Sequence, residues 1–398
     1  SLSMKFPGYT ITANIAETCH SAVYSAQQDE SGRAVIIKAI NTETSAPMEI
    51  ARIRHEYDLI RGRDIRGVVN ILDILDTRDY LALVMEDFGG ASLKNFLGQP
   101  LPLDRFLDLG IRTAEILAAL HDHDISHRDI KPGNIIYNSR TNTLKLTDFG
   151  IAAEFARGGE QIYTPEAIEA TLAYMSPEQT GRMNCEVDYR TDFYSLGATF
   201  YEMLTGRPPF AAKDPMEIIH AHIARQPAPP SALHPEIPGA VSAIVMKLLA
   251  KGADQRYQSG QGLITDLAHC RSQLEKTGQI QDLEPGRNDF SLKFTLPQVL
   301  VGRENEFDRL SRAFDRAADG AMEIMLVTGE SGIGKSSLVF EMDKTVAARH
   351  GFFLSGKYDQ LRRHVPYSAL IQAFQATARR LLAQSDAQIR QWREKLLA

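Results

Sequence analysis

Cysteine is scarce in this chain: Cys19, Cys185 and Cys270 are the only three in 398 residues. They are scattered and form no C-x-x-C pair, which excludes a disulfide framework and a cysteine-based zinc site. That usage fits a reducing, cytoplasmic setting. No apolar run reaches the ~18–20 residues needed to cross a bilayer, so no membrane segment is expected. The opening Ser1-Leu2-Ser3-Met4-Lys5 lacks the apolar stretch of a secretory signal, and Met4 reads as a natural start. Positive charge is not in excess either. A net charge of -6 and a pI near 6.0 argue against a general nucleic-acid binder. Internal repeats and low-complexity tracts are absent. What is present is ordinary for a soluble globular protein, with 43% hydrophobic and 24% charged residues. The length suits two or three domains.

The pattern is strand-rich from about Tyr9 to Phe88. Ala34 to Ile40 is a buried-strand run, and Val68 to Leu75 and Tyr80 to Met85 read as two more strands. One helix interrupts them, Glu49 to Arg61, with Ile50, Ile53, Tyr57 and Ile60 on one side. Helices then dominate: Leu103 to His121, Asp192 to Leu204, Pro215 to Ala224 and Ala240 to Lys251. Gln226 to Pro238 is rich in Pro and Ala and reads as a loop, and the polar stretch from Lys276 to Asp289 as the start of a linker. A new αβ pattern follows, with an amphipathic helix from Arg303 to Ala318 and a short buried strand from Glu323 to Val327.

Two motifs carry the chemistry. His127-Arg128-Asp129-Ile130-Lys131-Pro132-Gly133-Asn134 matches H-R-D-L-x-x-x-N, with Ile130 in the Leu place, and Asp148-Phe149-Gly150 matches D-F-G. On these residues, in this order and at this separation, residues 9–275 resemble the eukaryotic-like serine/threonine protein kinases of bacterial type. The resemblance implies an α+β bilobal protein-kinase fold, with a strand-rich N-lobe and a helical C-lobe. It also implies ATP and Mg2+ as cofactors and a protein Ser/Thr hydroxyl as substrate.

Phosphoryl transfer asks a protein mainly to position groups and neutralise charge, and the resemblance distributes those tasks. Asp129 would accept the hydroxyl proton. Lys131, the mark of the serine/threonine branch, would lie near the transferring phosphate. Asn134 and Asp148 would supply oxygens to magnesium. Lys38 ends Val35-Ile36-Ile37-Lys38 and matches the V-A-I-K lysine that pairs with the α- and β-phosphates. Glu56, on the next helix, is its expected ion-pair partner. Met85 would be the gatekeeper, with Glu86 and Phe88 in the adenine-binding hinge. Ser176-Pro177-Glu178 stands where A-P-E belongs, and Glu178 is expected to pair with Arg256. Asp192 should anchor the catalytic-loop backbone, and His127 should pack under Phe149. His121 and His123 read as a helix end rather than a metal pair.

One departure matters. Counting back from Val23 in G-x-G-x-x-G-x-V places Ala16, Thr18 and Ser21 at the glycine positions. Glycine lets backbone approach phosphate closely, so a loop built on these residues should be stiffer or stand further off. Ala16 and Val23 would still cover the nucleotide, but affinity and turnover would fall. This keeps open a pseudokinase-like nucleotide-binding scaffold. Arg128 is expected to meet a phosphate on the activation segment, with Thr164 as first candidate and Tyr163 as second; Thr171 would be structural. The acidic Glu160, Glu166 and Glu169 offer an alternative partner.

Further on, Gly329-Glu330-Ser331-Gly332-Ile333-Gly334-Lys335-Ser336 fits the P-loop G-x-x-x-x-G-K-[ST]. Gly329 and Gly334 would shape a phosphate cradle, Lys335 would reach the β- and γ-phosphates and Ser336 the magnesium. Val301-Gly302-Arg303-Glu304, Gly356-Lys357-Tyr358-Asp359-Gln360 and Pro366-Tyr367-Ser368 resemble signal-transduction ATPases of the AAA/STAND type. A linker is therefore expected over 276–298 and a partial α/β P-loop NTPase domain over 299–398, stopping before a Walker B strand. Kinase followed by ATPase resembles the start of large bacterial sensor kinases, which implies downstream sensor and histidine-kinase modules as partners. A third alternative makes the ATPase the working module and the kinase lobe its sensor.

Overall fold

The structure, a computed structural model, describes residues 5–17, 21–154, 172–180, 187–212, 214–287, 289 and 303–329, with positions 335, 338, 339, 342, 345 and 346. These fall into two units, up to residue 289 and from residue 303. Thr18, Glu160, Tyr163, Thr164, Glu166, Glu169, Thr171, Val301, Gly302, Gly334, Ser336 and the motifs read after residue 346 lie outside the described residues.

The first unit begins with a five-stranded antiparallel sheet. Its strands are β1 (Tyr9–Glu17), β2 (Ser21–Gln28), β3 (Ala34–Asn41), β4 (Ile71–Asp76) and β5 (Tyr80–Glu86), in the order β1-β2-β3-β5-β4. Side chains alternate across a strand, and here alternate residues enter two different cores. Val35, Ile37, Ala39, Ala82 and Val84 belong to a small outer cluster. Ile40, Leu81, Leu83 and Met85 belong to the large core, against which Ile36 also packs. Lys38, midway between Ile36 and Ile40, therefore points to the side of the large core.

Helix α1 (Pro47–Ile60) crosses between β3 and β4. Proline suits its first turn because the missing N–H would be unpaired there anyway, and Glu49 accepts the Ala46 N–H at 3.3 Å. The helix buries Ile53, Glu56, Leu59 and Ile60. A glutamate on that apolar face requires a partner. Gly67 follows, at φ 80°, and its carbonyl accepts the Leu146 N–H at 2.8 Å. A Cβ there would sit 2.2 Å from Ile116 Cγ1, so only glycine fits.

After a two-residue strand, β6 (Ala91–Ser92), the helical lobe starts with α2 (Leu103–Asp122). Short strands frame the motifs: β7 (Ile125–Ser126), β8 (Ile135–Asn138), β9 (Thr143–Leu146) and β10 (Ala153–Glu154). Then come α3 (Thr191–Thr205), α4 (Pro215–Ala224), α5 (Pro230–Leu233), α6 (Gly239–Leu248) and α7 (Gly260–Thr277). Nearly every side chain of α3 is buried, so it forms the middle of the lobe. The short α5 interrupts the stretch expected to be loop; its prolines sit where a helix tolerates them. The sequence pattern had not marked α7, which caps on Ser259 and ends at Gly278 in the left-handed region, φ 71°. Residues beyond it fold back: Asp266 accepts the Gly286 N–H at 2.7 Å, and Asp289 accepts from Ser259 Oγ at 2.6 Å.

In the second unit, α8 (Glu304–Ala318) matches the expected amphipathic helix. The strand expected at Glu323–Val327 is not there: among the described residues nothing pairs with it. Met322, Ile324 and Leu326 are 93%, 88% and 86% exposed, so the expectation of burial is also corrected. An apolar run becomes a buried strand only when neighbours supply its ladder and cover its faces.

The C-lobe is held by one fully buried ion pair. Arg256 donates to both carboxylate oxygens of Glu178, at 2.6 and 2.8 Å, and to the carbonyls of Arg190, Ala250 and Lys251. Removing one partner would leave an uncompensated buried charge, at a cost of about 3–5 kcal/mol. Arg256→Ala is therefore expected to lower the melting temperature by roughly 10 °C. A shift within a degree or two in thermal denaturation would show that the pair is not structural.

Candidate active site

Asp192, at the start of α3 and fully buried, organises the catalytic loop. Its Oδ2 accepts from His127 N at 2.9 Å, Ser126 Oγ at 3.0 Å and His121 Nε2 at 2.9 Å; its Oδ1 accepts from Arg128 N at 2.7 Å. Burial alone would raise its carboxyl, but the hydrogen bond and charge of His121, the charge of His127 and the Arg128 N–H together outweigh this and hold it below the ordinary range. The loop so held is strained, with Arg128 at φ 65°. Gln179 adds a brace by donating to the Arg128 carbonyl at 2.7 Å. His121 is thus a loop anchor at the end of α2, and the His123 ring bonds back within its own helix, Nδ1 to Ala119 O at 2.8 Å.

The hydrogen bonds of His127 fix its tautomer. Its Nδ1 accepts the Asp129 N–H at 3.2 Å, so Nε2 carries the proton and donates to Thr147 O at 3.0 Å. Its ring packs on Phe149, centroids 4.6 Å apart. Both nitrogens are committed, and the imidazole is structural. Asp129 Oδ2 accepts from Lys131 Nζ at 2.7 Å and from Asn134 Nδ2 at 2.9 Å. Asn134 also donates to Asp129 O at 2.8 Å. With its amino side used, Asn134 presents its amide oxygen.

Lys38 joins the two lobes. Its Nζ lies 3.0 Å from Glu56 Oε2 and 2.8 Å from Asp148 Oδ1. The other Glu56 oxygen accepts the Phe149 N–H at 3.0 Å. Burial works to lower the Lys38 ammonium, but the carboxylates of Asp148 and Glu56 override it and push it well up. Conversely, burial raises Asp148, but the Lys38 charge and hydrogen bond, with the charges of Lys131 and His127, together more than reverse that. With its side chain 40% exposed, Asp148 feels this field partly screened by water. It is held in the left-handed region at φ 68°. His55 of α1 adds a contact to the same turn, Nε2 to Ala152 O at 2.7 Å.

The face of the sheet that carries Lys38 also carries small and apolar residues. Val23 stands opposite Lys38 and Ile36 opposite Met85 across the sheet, and Ala16 stands opposite Val23 on exposed β1. The hinge is braced from below. Glu86 binds Lys145 Nζ and accepts the Asn70 N–H at 2.8 Å, while Asn138 Nδ2 donates to Phe88 O at 2.7 Å. Lys145 also lies over the Phe88 ring, 5.6 Å from its centroid. Neither Lys145 nor Gln179 belongs to a motif. Only the alternation of β9 hints at Lys145, and nothing marks Gln179. In the second unit, Lys335 Nζ donates to Gly329 O at 2.9 Å, which links the two described ends of the expected P-loop.

The residues present fit the groups the motifs imply. Asn134 and Asp148 offer hard amide and carboxylate oxygens of the kind magnesium takes. Val23, Ile36 and Met85, on the face that carries Lys38, would give a flat purine apolar contacts.

The chain from residue 9 to 267 matches the protein kinase domain. It belongs to the protein kinase family. Residues 299–398 match an AAA ATPase domain. Relatives include a probable serine/threonine-protein kinase of Streptomyces coelicolor, 34% identical over 62% of this chain and 37% of its own length. The serine/threonine-protein kinase PknB of Mycobacterium tuberculosis is 32% identical over 63% of this chain and 41% of its own. A hybrid signal transduction histidine kinase of Dictyostelium discoideum is 28% identical over 75% of this chain but 11% of its own. The chain thus spans between about a tenth and two fifths of the length of these relatives. The kinase lobe is a bilobal fold with the strand-rich part first, as the motifs implied.

Acid should loosen this kinase domain in two stages. His222 is buried against Tyr194, Nδ1 to the hydroxyl at 2.9 Å. Burial first and the nearby Lys251 charge second push it down to about 3. Between its ordinary value near 6.5 and that folded value, only the unfolded chain takes up the proton, so stability falls as pH drops. Below about pH 4.5, Glu178 and Asp192, both held low in the fold, add to the loss. The melting temperature is expected to decline from about pH 6.5 downward, and His222→Asn should flatten the upper stage. Parallel pH profiles for the two chains would remove His222 as the cause.

Proposed function

We propose that this chain is an ATP-dependent serine/threonine protein kinase in signal transduction, with its P-loop ATPase module regulating that activity. The observation that carries the proposal is the position of Lys38, in contact at once with Glu56 on α1 and Asp148 of the Asp-Phe-Gly turn. Kinase chemistry requires both elements in place together. The bacterial serine/threonine-kinase relatives support the same reading.

In this mechanism the protein substrate's hydroxyl lies against Asp129, whose carboxylate orients it and takes its proton. The hydroxyl oxygen forms a bond to the γ-phosphorus as the bond to the bridging oxygen breaks, releasing ADP. Lys131, already on Asp129, faces the transferring group and offsets its charge. Lys38 holds the α- and β-phosphates, and Glu56 holds Lys38. Met85, the backbone of Glu86 and Phe88, Val23 and Ala16 surround the base. Asn134 and Asp148 would hold Mg2+, which supplies charge neutralisation of the phosphates when bound. In the second unit Gly329, Gly334, Lys335 and Ser336 would form a separate phosphate site.

Several finer points belong to the proposal. Sensor and histidine-kinase modules would adjoin this chain in the whole protein, as the name of the Dictyostelium relative suggests. Among the described residues no helix is long and apolar enough to cross a membrane. A buried free Cys270 accords with a reducing cytoplasm. The contacts of Lys38 with Glu56 and Asp148, and of Asp129 with Lys131 and Asn134, support the kinase reading over the scaffold alternative.

Autophosphorylation with magnesium and labelled ATP tests this. Asp129→Ala should cut transfer by at least ~10²-fold while ATP binding changes little. Asp148→Asn should also abolish the signal, and Lys335→Ala should leave it. Unchanged transfer in Asp129→Ala would sink the assignment, and loss only in Lys335→Ala would move the activity to the P-loop.

A further inference from the structure

Helix α7 ends at Gly278, but the chain does not depart from the lobe there. It turns back along the same helix, from its last turn to its first. Thr277 Oγ1 donates to Gln279 O at 2.8 Å, and the Gln281 N–H donates to Gln273 Oε1 at 3.0 Å. Ile280 and Leu283 pack against the large core. Further along the helix, one oxygen of Asp266 accepts both the Gly286 N–H and the Tyr257 hydroxyl, at 2.7 and 2.6 Å. At the first turn, Asp289 accepts from Ser259 Oγ and from the Gln258 N–H. The helix dipole favours a carboxylate in that position. Glycine makes the room. A Cβ on Gly262 would lie 2.6 Å from both Cβ and Cγ of Asp289, and one on Gly286 would lie 2.5 Å from Lys247 Cε.

We propose that residues 279–289 form a latch, with Asp289 as its catch, through which the ATPase module acts on the catalytic loop. The latch lies beyond the matched kinase domain, which ends at 267, and only residues 290–298 separate it from the matched ATPase domain. What the catch holds gives it a route to the site. The Gln258 carbonyl accepts the Tyr189 hydroxyl at 2.8 Å, and its Oε1 accepts from Arg190 Nη1 at 2.9 Å. Tyr189 in turn accepts the Asp192 N–H on its carbonyl at 3.1 Å, and Asp192 holds the catalytic loop. With the catch closed, Gln258 is fixed, and so is the turn that leads into α3. Drawn off, Asp289 leaves the Gln258 N–H and Ser259 Oγ without this acceptor, and that turn loosens. Coupling between distant sites needs an element of this kind, with two arrangements. The effect on turnover rests on the kinase reading; the docking of the latch does not.

The test compares the full wild-type chain with Asp289→Ala and Gly262→Ala. Trypsin cleavage after Arg287, an exposed residue within the latch, is followed by mass spectrometry. Cleavage of a docked segment follows the population in which it is open. Asp289→Ala should speed it by roughly 10-fold or more, the effect of losing hydrogen bonds to a charged group. Gly262→Ala should speed it too, because the added Cβ displaces the catch. On a helix that carries no latch, the same alanine would only stabilise, since it suits a helix better than glycine. The rate of autophosphorylation at saturating labelled ATP should fall in both variants, while the ATP concentration giving half that rate holds. Equal cleavage in the three chains would overturn the latch. Faster cleavage with an unchanged rate would overturn its hold on the catalytic loop. No phosphorylation by any chain, with cleavage still faster in the variants, would overturn the kinase reading and the regulatory role with it, and leave the latch standing.

Discussion

Lys38 is where three separate stretches of chain become one site. It belongs to β3, and its ammonium is shared by Glu56 of α1 and Asp148 of the Asp-Phe-Gly turn. Neither carboxylate could sit where it does alone. Glu56 is 1% exposed on an otherwise apolar helix face, and Asp148 is held at a positive φ. Breaking such an arrangement from one side leaves a buried charge without compensation. The helix, the turn and the sheet are therefore tied to one another through a single cation. Any displacement of α1 costs Lys38 one of its two carboxylates and the Phe149 N–H its acceptor at the same time.

Behind that charge cluster stand two others, both buried. Asp192 collects four donors beneath the catalytic loop, and Arg256 gives its donors to Glu178 and three carbonyls. Buried ion pairs are seldom the cheapest way to stabilise a fold. Here they fix backbone that apolar packing could not. The Arg128 peptide sits in the left-handed region, and directed hydrogen bonds on either side of it are what hold the strain. A core of leucines would hold the lobe together but would not aim Asp129.

Much of this was legible in the sequence because the chemistry is carried by side chains at fixed spacing. The loop from His127 to Asn134, the turn at Asp148 and the pairing of Lys38 with Glu56 all follow from motif order. The placement of Asp192 and the Glu178–Arg256 pair follow as well. The hinge brace did not. Lys145 approaches Glu86 only because β9 pairs with β8 and the hinge passes across them, a long-range consequence of topology with no local signal. Gln179 is invisible for the same reason. Helix α7 was overlooked because its polar outer face dilutes the apolar period. The Glu323–Val327 stretch failed in the opposite sense: its composition is right for a strand, but a buried strand is a property of its neighbours as much as of itself.

The glycine-poor phosphate loop is best weighed against what surrounds it. Ala16 lies on β1, an edge strand whose residues are almost all exposed, so little packing holds that strand down over a nucleotide. Ser21 pairs with Ile40 at the start of β2, where the sheet is already fixed. A cover hinged on a loose edge strand contributes less to holding phosphate than one whose backbone closes on it through glycines. What stays fixed beside it is Lys38, with its two carboxylates, and the apolar face shared by Val23, Ile36 and Met85. Those parts are rigid because β3 and β5 are central strands with both faces packed.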